Sequence, residues 1–313
     1  MLFPAFAEFT AQRFQMGQFG VSLFFLCSGY IIPRSIEKKR TLREFWIHRF
    51  FRLYPLYWVS LFLALAWGFT HLGFLPEPFY SNPLRSILAN ITMVQGLLGS
   101  PHALSPYWSL GFEMMFYWAM SGLLLMKWNR RTFLIVMGLL TLSVLNPLAT
   151  HELHRAAHVG VVFHFATLFF GTLLYRFEAG VLSSKKLFLA LAVVPFVIVA
   201  ANGIAFYGIP DSTGDGVHAF FPMTTAWFGA YALFGMSFWR RWGGPVARKL
   251  AWVGLVSYSV YLLHPLVIAL GTFGLESNRV VVLALWTVMV LIGSALTYRW
   301  IEHPAIQKAR TIT

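Results

Sequence analysis

The sequence predicts an all-α, polytopic integral membrane helix bundle, and three observations predict it. Hydrophobic residues fill 58% of the 313 positions and charged residues only 11%, against roughly 25% charged in a soluble domain. Long apolar runs follow one another from residue 20 to the end, each near the ~20 helical residues that cross a hydrocarbon layer. The 24 Lys and Arg residues gather in short loops between those runs, as the positive-inside rule expects. That placement assigns the formal charge of +13 to topology and anionic lipid and argues against nucleic acid as a partner.

The runs give nine expected spans: 18–33, 53–72, 106–126, 132–150, 158–176, 187–207, 219–239, 251–272 and 280–300. Gly17 and Gly20, at the first, permit close approach of a neighbouring helix. Cys27, in the same run, is the single cysteine, so no internal disulfide forms. Segment 34–52 carries seven Lys/Arg, and Phe45, Trp46, Phe50 and Phe51 beside Arg43, Arg49 and Arg52 suit a helix lying in the interface. A tenth run, 84–99, is short and more polar. If it does not span, 20 of the 24 basic residues fall on the cytoplasmic side and only Arg13, Arg85, Arg155 and Arg279 outside. If it spans, every later loop flips and the KWNRR loop at 127–131 faces out. The charge rule therefore makes 84–99 re-entrant or superficial, with the N-terminus outside and the C-terminus in the cytoplasm. The whole chain, 1–313, reads as one domain, without repeats, low complexity or a cleavable signal peptide.

Run 106–126 contains PYWSLGFEMMFYWAM, with Glu113 in an oily setting. Ser109 and Tyr117 lie one turn away on the same helical face, with Trp108 and Phe116 nearby. A carboxylate inside a membrane costs roughly 3 kcal/mol, so it marks either a functional site or a glutamate bonded to a neighbouring helix. Run 251–272 contains SYSVYLLHPLV, in which Ser257, Tyr261 and His264 recur at helical spacing. In this topology Glu113 and His264 both sit in the outer half of the bilayer, where they are expected to meet. On segment 45–58, Arg49 and Arg52 are one turn apart at the cytoplasmic surface, a pairing that suits phosphate as well as plain topology. The histidines of HELHRAAH, His151, His154 and His158, depart from the zinc-protease spacing. Asp211 and Asp215 fall short of a Ca²⁺ loop, so no metal is expected. Glu302, before Pro304, closes the last helix, and its expected partner is a basic loop.

Together these motifs resemble the acyltransferase-3 family of integral membrane O-acyltransferases. GQFGVSLFFLCSGYII is similar to the family's Gly-Val-x-Leu-Phe-Phe-x-x-Ser-Gly segment, and FWIHRFFRLYPLYW to its Phe-x-x-x-Arg-x-x-Arg-(Ile/Leu)-x-Pro segment. YWSLGFEMMFYW resembles Trp-Ser-Leu-x-x-Glu-x-x-Phe-Tyr, SYSVYLLHPLV resembles Ser-Tyr-x-x-Tyr-Leu-x-His-x, and Glu302-His303-Pro304 resembles the closing Glu-x-Pro.

The resemblance implies transfer of an acyl group, often acetyl, from cytoplasmic acetyl-CoA to a hydroxyl of a saccharide or lipid-linked saccharide in the bacterial plasma membrane. It implies Glu113, Ser109 and His264 in catalysis and Arg49 with Arg52 on the CoA phosphates. Trp108, Tyr117, Ser257, Tyr258 and Tyr261 support them. The family typically has ten helices and an early Arg-x10-His helix that supplies the base. No histidine precedes His48 here, so the chain is expected to begin after that helix, as an N-terminal truncation lacking that base. Two other readings stay open from the residues alone: a non-catalytic paralogue, and a polysaccharide or lipid-linked substrate transporter.

Overall fold

A computed structural model describes residues 4–39, 41–71, 74–152, 159–207, 216–240, 244–271 and 278–313. Residues 153–158 and 208–215, with His154, His158, Asp211 and Asp215, lie outside them. The described residues form helices and no strand: α1 (Pro4–Gln12), α2 (Met16–Lys38), α3 (Leu42–Thr70), α4 (Glu77–Ser81), α5 (Pro83–Ile91), α6 (Tyr107–Leu125), α7 (Thr132–Glu152), α8 (Val159–Glu178), α9 (Ser184–Tyr207), α10 (Gly216–Trp239), α11 (Gly244–Ala269), α12 (Arg279–Thr297) and α13 (His303–Ile312). Among them seven stretches are long and apolar enough to cross a membrane, and the chain is a membrane protein. α6 and α10 are helices at the other two expected positions. Six of the long helices contain an internal proline, which a membrane tolerates when neighbouring groups satisfy the freed carbonyl.

The helices fall into two compact units, and the division lies inside α6, between Met114 and Met115. The first unit holds α1, α2, the second part of α6, and α7 to α10. Its core is a very close approach of α2 and α8. A Cβ built on Gly29 would stand 1.8 Å from the Leu168 carbonyl oxygen, and one on Gly171 would stand 2.3 Å from that of Leu26. Thr172 Oγ1 also donates to the Gly29 carbonyl at 2.9 Å. Small residues at such a crossing let the backbones touch. Gly17 and Gly20 do not serve it: Gly20 has nothing within 4 Å of a built Cβ, and Gly17 meets only the Gln15 side chain. The close approach lies further along α2, at the Ser28-Gly29 pair.

At the end of α2 and α8 the Glu37 carboxylate receives both terminal nitrogens of Arg176, Asn129 Nδ2 at 3.1 Å and the Tyr175 hydroxyl at 3.2 Å. Arg176 is only 4% exposed, and this pairing is what lets a guanidinium be buried. The loop charges here therefore do more than set topology.

The second unit holds α3, α4, α5, the first part of α6, and α11 to α13. Thr41 caps α3 by accepting the Glu44 amide at 3.1 Å, so the expected interfacial segment and the span after it are one 29-residue helix. α5 descends along α3. Near its start Tyr80 donates to the Gly68 carbonyl at 2.8 Å; at its end Tyr57 donates to Asn90 O at 2.6 Å and Tyr54 to Thr92 O at 2.9 Å. Eleven residues of α3 separate Gly68 from Tyr57, about 16 Å of rise. α5 thus enters to the middle of α3 and stops, and run 84–99 does not span as a helix.

Irregular backbone at such depth must be satisfied by protein, and Asn90 does this. Its Nδ2 donates to Pro101 O and its Oδ1 accepts the Ala103 amide at 3.0 Å. α6 begins at the same depth, where the Tyr107 hydroxyl bonds Ser60 Oγ at 2.8 Å.

Candidate active site

The polar residues of the second unit converge on the first two turns of α6. Ser109 is fully buried and Glu113 is 6% exposed. Ser109 Oγ lies 2.5 Å from the Tyr261 hydroxyl of α11, which in turn lies 2.7 Å from Pro106 O. A phenol has one proton. With that proton on the Pro106 carbonyl, the serine hydroxyl supplies the second bond, and both groups are fixed. The Glu113 carboxylate lies within Coulombic range of the Tyr258 and Tyr261 phenols. Tyr258, 8% exposed, donates to the Leu53 carbonyl at 2.8 Å, which sets α11 against α3.

Glu113 is therefore buried in protein, as the sequence suggests. Tyr261 pairs with Ser109, and both Tyr258 and Tyr261 lie in range of Glu113. His264, one turn beyond Tyr261 on α11, has its Nδ1 3.3 Å from the Val260 carbonyl of its own helix. Ser257 is exposed and donates back to Gly254 O at 2.8 Å. The buried face of α11 is Tyr258, Ser259 and Leu262, one position round from the Ser257 stripe. Trp108 packs edge-on against Phe112 with centroids 5.6 Å apart. Tyr117 is fully buried one turn past Glu113, in the part of α6 that belongs to the first unit.

Glu302 is a second buried carboxylate, with 1% exposure. It is buried rather than at the surface, while the charge that acts on it is Arg52, from the basic segment 34–52. Ser259 donates to its Oε1, while Oε2 has no hydrogen-bond partner among the described residues. It lies within Coulombic range of both Arg52 and Tyr258. The reason for its burial is local: residues Tyr298–Glu302 form a π-turn, closed by the His303 amide on Tyr298 O, a widened geometry that often marks functional positions. Its sequence signals were an acid just past the last apolar run, two residues before a proline, and the closing Glu-x-Pro pattern.

Arg49 and Arg52 are half-buried on α3, one turn apart, and the Arg49 guanidinium lies over the Phe45 ring at 5.3 Å. The unit thus holds two guanidiniums, two buried acids, the Tyr258 and Tyr261 phenols and a buried serine, linked by electrostatic range among apolar helices. Such a set can bind an anion at its basic end and orient a hydroxyl at the other. Among the described residues no group of three His, Cys, Asp or Glu side chains could hold a metal.

A family model described as an acyltransferase domain, the acyltransferase-3 type, matches residues 2–299. An exopolysaccharide production protein of Rhizobium meliloti is 34% identical over 42% of this chain and 41% of its own length. A peptidoglycan O-acetyltransferase of Listeria monocytogenes is 30% identical over 42% of the chain and 24% of its own length. A putative peptidoglycan O-acetyltransferase of Bacillus subtilis is 26% identical over 92% of the chain and 50% of its own length. The chain thus spans half or less of each of these relatives. No solved structure matches it.

Proposed function

The chain belongs to the acyltransferase-3 family, and on that premise we propose that it moves an acyl group, most simply acetyl, from cytoplasmic acyl-CoA to a hydroxyl of an envelope saccharide. The relatives whose names specify exopolysaccharide production and peptidoglycan O-acetylation support a saccharide acceptor. The observation that carries the reading is the buried Glu113 carboxylate, one turn from Ser109 and in range of two phenols. In this reading the basic end, with Arg49 and Arg52, faces the cytoplasm of a bacterial plasma membrane, and the N-terminal end of α6 faces out. The two arginines grip CoA phosphates, for which planar guanidiniums are suited. Glu302 holds the Arg52 guanidinium in place. The acyl carbonyl reaches the Tyr258–Glu113 region, where Glu113 accepts the hydrogen bond of the acceptor hydroxyl and orients its oxygen for attack. The carbon–sulfur bond breaks as the new ester bond forms, and the hydroxyl proton leaves with the CoA thiol.

The test is transfer of labelled acetyl from acetyl-CoA to extracted envelope glycans in membrane vesicles. Glu113→Gln removes the charge at constant shape and is expected to lower turnover by about 10²–10⁴-fold. Arg49→Ala removes charge-assisted bonds of roughly 1.5–3 kcal/mol, so the acyl-CoA KM is expected to rise about ten- to hundredfold. Wild-type turnover from both variants, with normal insertion, would refute the assignments. One observation favours a transporter instead: the interrupted segment at the middle of α3, since broken helices line transport sites. Glycan flux without any acyl product is the result that reading requires.

A further inference from the structure

A pocket of about 500 Å³ opens at the start of α5, far along the chain's fold from Arg49 and Arg52, and the acyl-transfer reading leaves it unused. Its wall is aliphatic, with Leu84, Leu88, Ala89 and Leu98, and its polar groups are Asn82, Arg85 and Ser100. Leu84, Leu88 and Leu98 are 68%, 57% and 48% exposed, on a segment that enters the membrane protein to mid-depth. Among the described residues Arg85 is the single cation that lines the pocket, and no carboxylate lines it. Among the described residues its guanidinium makes one hydrogen bond, Nη2 to Leu98 O at 3.2 Å, so most of its five donors are left for a ligand. That bond and the Asn82 cap on the Arg85 amide, at 3.2 Å, hold the cation at the rim of the leucine wall.

We propose that this pocket binds the phosphate of an anionic membrane lipid, with one hydrocarbon chain laid along Leu84, Leu88 and Leu98. A planar cation at the edge of an apolar groove is complementary to an amphiphile whose charge sits at one end. A free anion would gain nothing from the leucines, and an uncharged chain nothing from Arg85. The position adds a consequence that rests on the acyl-transfer reading. Asn90, at the end of the same helix, fixes Pro101 and Ala103, and the chain from there runs through Pro106, the acceptor of Tyr261, into Ser109 and Glu113. A saccharide carried on a lipid phosphate would therefore be anchored on the element that leads into the acidic site.

Binding is read without turnover, by native mass spectrometry of the purified chain in detergent titrated with short-chain phosphatidylglycerol, phosphatidylcholine or inorganic phosphate. The wild type is expected to retain phosphatidylglycerol over phosphatidylcholine. Arg85→Ala should weaken retention about fivefold, the value of one basic residue at a lipid surface. Leu88→Ser, which leaves the Arg85–Leu98 bond in place, should weaken it several-fold. Equal retention by wild type and both variants overturns the proposal. So does full displacement by inorganic phosphate, or loss with Arg85→Ala but not with Leu88→Ser, since either outcome describes an anion site without a chain. Failure of acyl transfer in vesicles leaves these readings unaffected, so the two ideas fail separately.

Discussion

Replacing Gly29 by alanine tests the α2–α8 crossing most directly. The added methyl would sit 1.8 Å from the Leu168 carbonyl oxygen, whereas ordinary contact begins near 3.4 Å. The obstacle is main chain, not the end of a flexible side chain, so the helices must part by roughly 1.5 Å or bend. Overpacking of this kind costs about 1–3 kcal/mol. Displacement of the Thr172–Gly29 bond adds about 0.6 kcal/mol, the mean worth of a side-chain hydrogen bond in a membrane. The better helix propensity of alanine returns about 1 kcal/mol. The net expectation is a loss of about 0.6–2.6 kcal/mol, a few degrees in thermal midpoint at roughly 2–4 °C per kcal/mol. The assay is thermal unfolding in detergent, with Gly20→Ala as control on the same helix, where a methyl meets nothing within 4 Å. That control should melt at or slightly above the wild-type temperature. If Gly29→Ala and Gly20→Ala melt together, the crossing is not as tight as described and the reasoning fails.

Two further outcomes follow from charged and titrating groups. Glu37→Gln should destabilise the chain by about 3 kcal/mol, because it strands the buried Arg176 guanidinium. The double variant Glu37→Gln, Arg176→Met should cost far less than the two single changes summed, and additivity in thermal midpoints would contradict a coupled pair. His102, in the loop between α5 and α6, is held below its ordinary pKa by burial, and its Nδ1 accepts from Gln95 Nε2 at 2.8 Å. A proton on Nδ1 would set two donors face to face. The unfolded loop therefore binds protons that the folded loop refuses, so stability is full above about pH 6.5 and falls as pH drops through that value. Hydrogen exchange of the 92–104 amides, corrected for intrinsic rates, should accelerate between pH 7.5 and 5.5. An equal acceleration in His102→Gln would remove the histidine as its cause.

The sequence made the helices and their approximate places legible, because apolar length alone announces a membrane helix. It also exposed Glu113, since one carboxylate in an oily run has few outlets other than a protein interior. The failure of 84–99 to cross was legible from loop charges, and Asn90 and Gln95, both fully buried, supply its physical reason. Orientation was harder to read. A helix that is apolar all round has no preferred face in its pattern, so nothing marked Gly29 over Gly20, or Tyr258 over Ser257. Spacing along two helices does not reveal which turns lie level, so the relation of Glu113 to His264 was not readable from the pattern. Glu302 was legible as the closing acid but not its depth, because acids at the end of a last span ordinarily meet solvent and a π-turn leaves no compositional trace.

That turn also controls everything after it. A five-residue step in place of four lets Glu302 face inward while Trp300, two positions back, remains 67% exposed. It also sets the heading of α13, whose Ala309 is fully buried and whose Thr313 hydroxyl lies 3.0 Å from His48 of α3. One widened turn thus does two jobs, bringing an acid against Ser259 and bedding the end of the chain on α3.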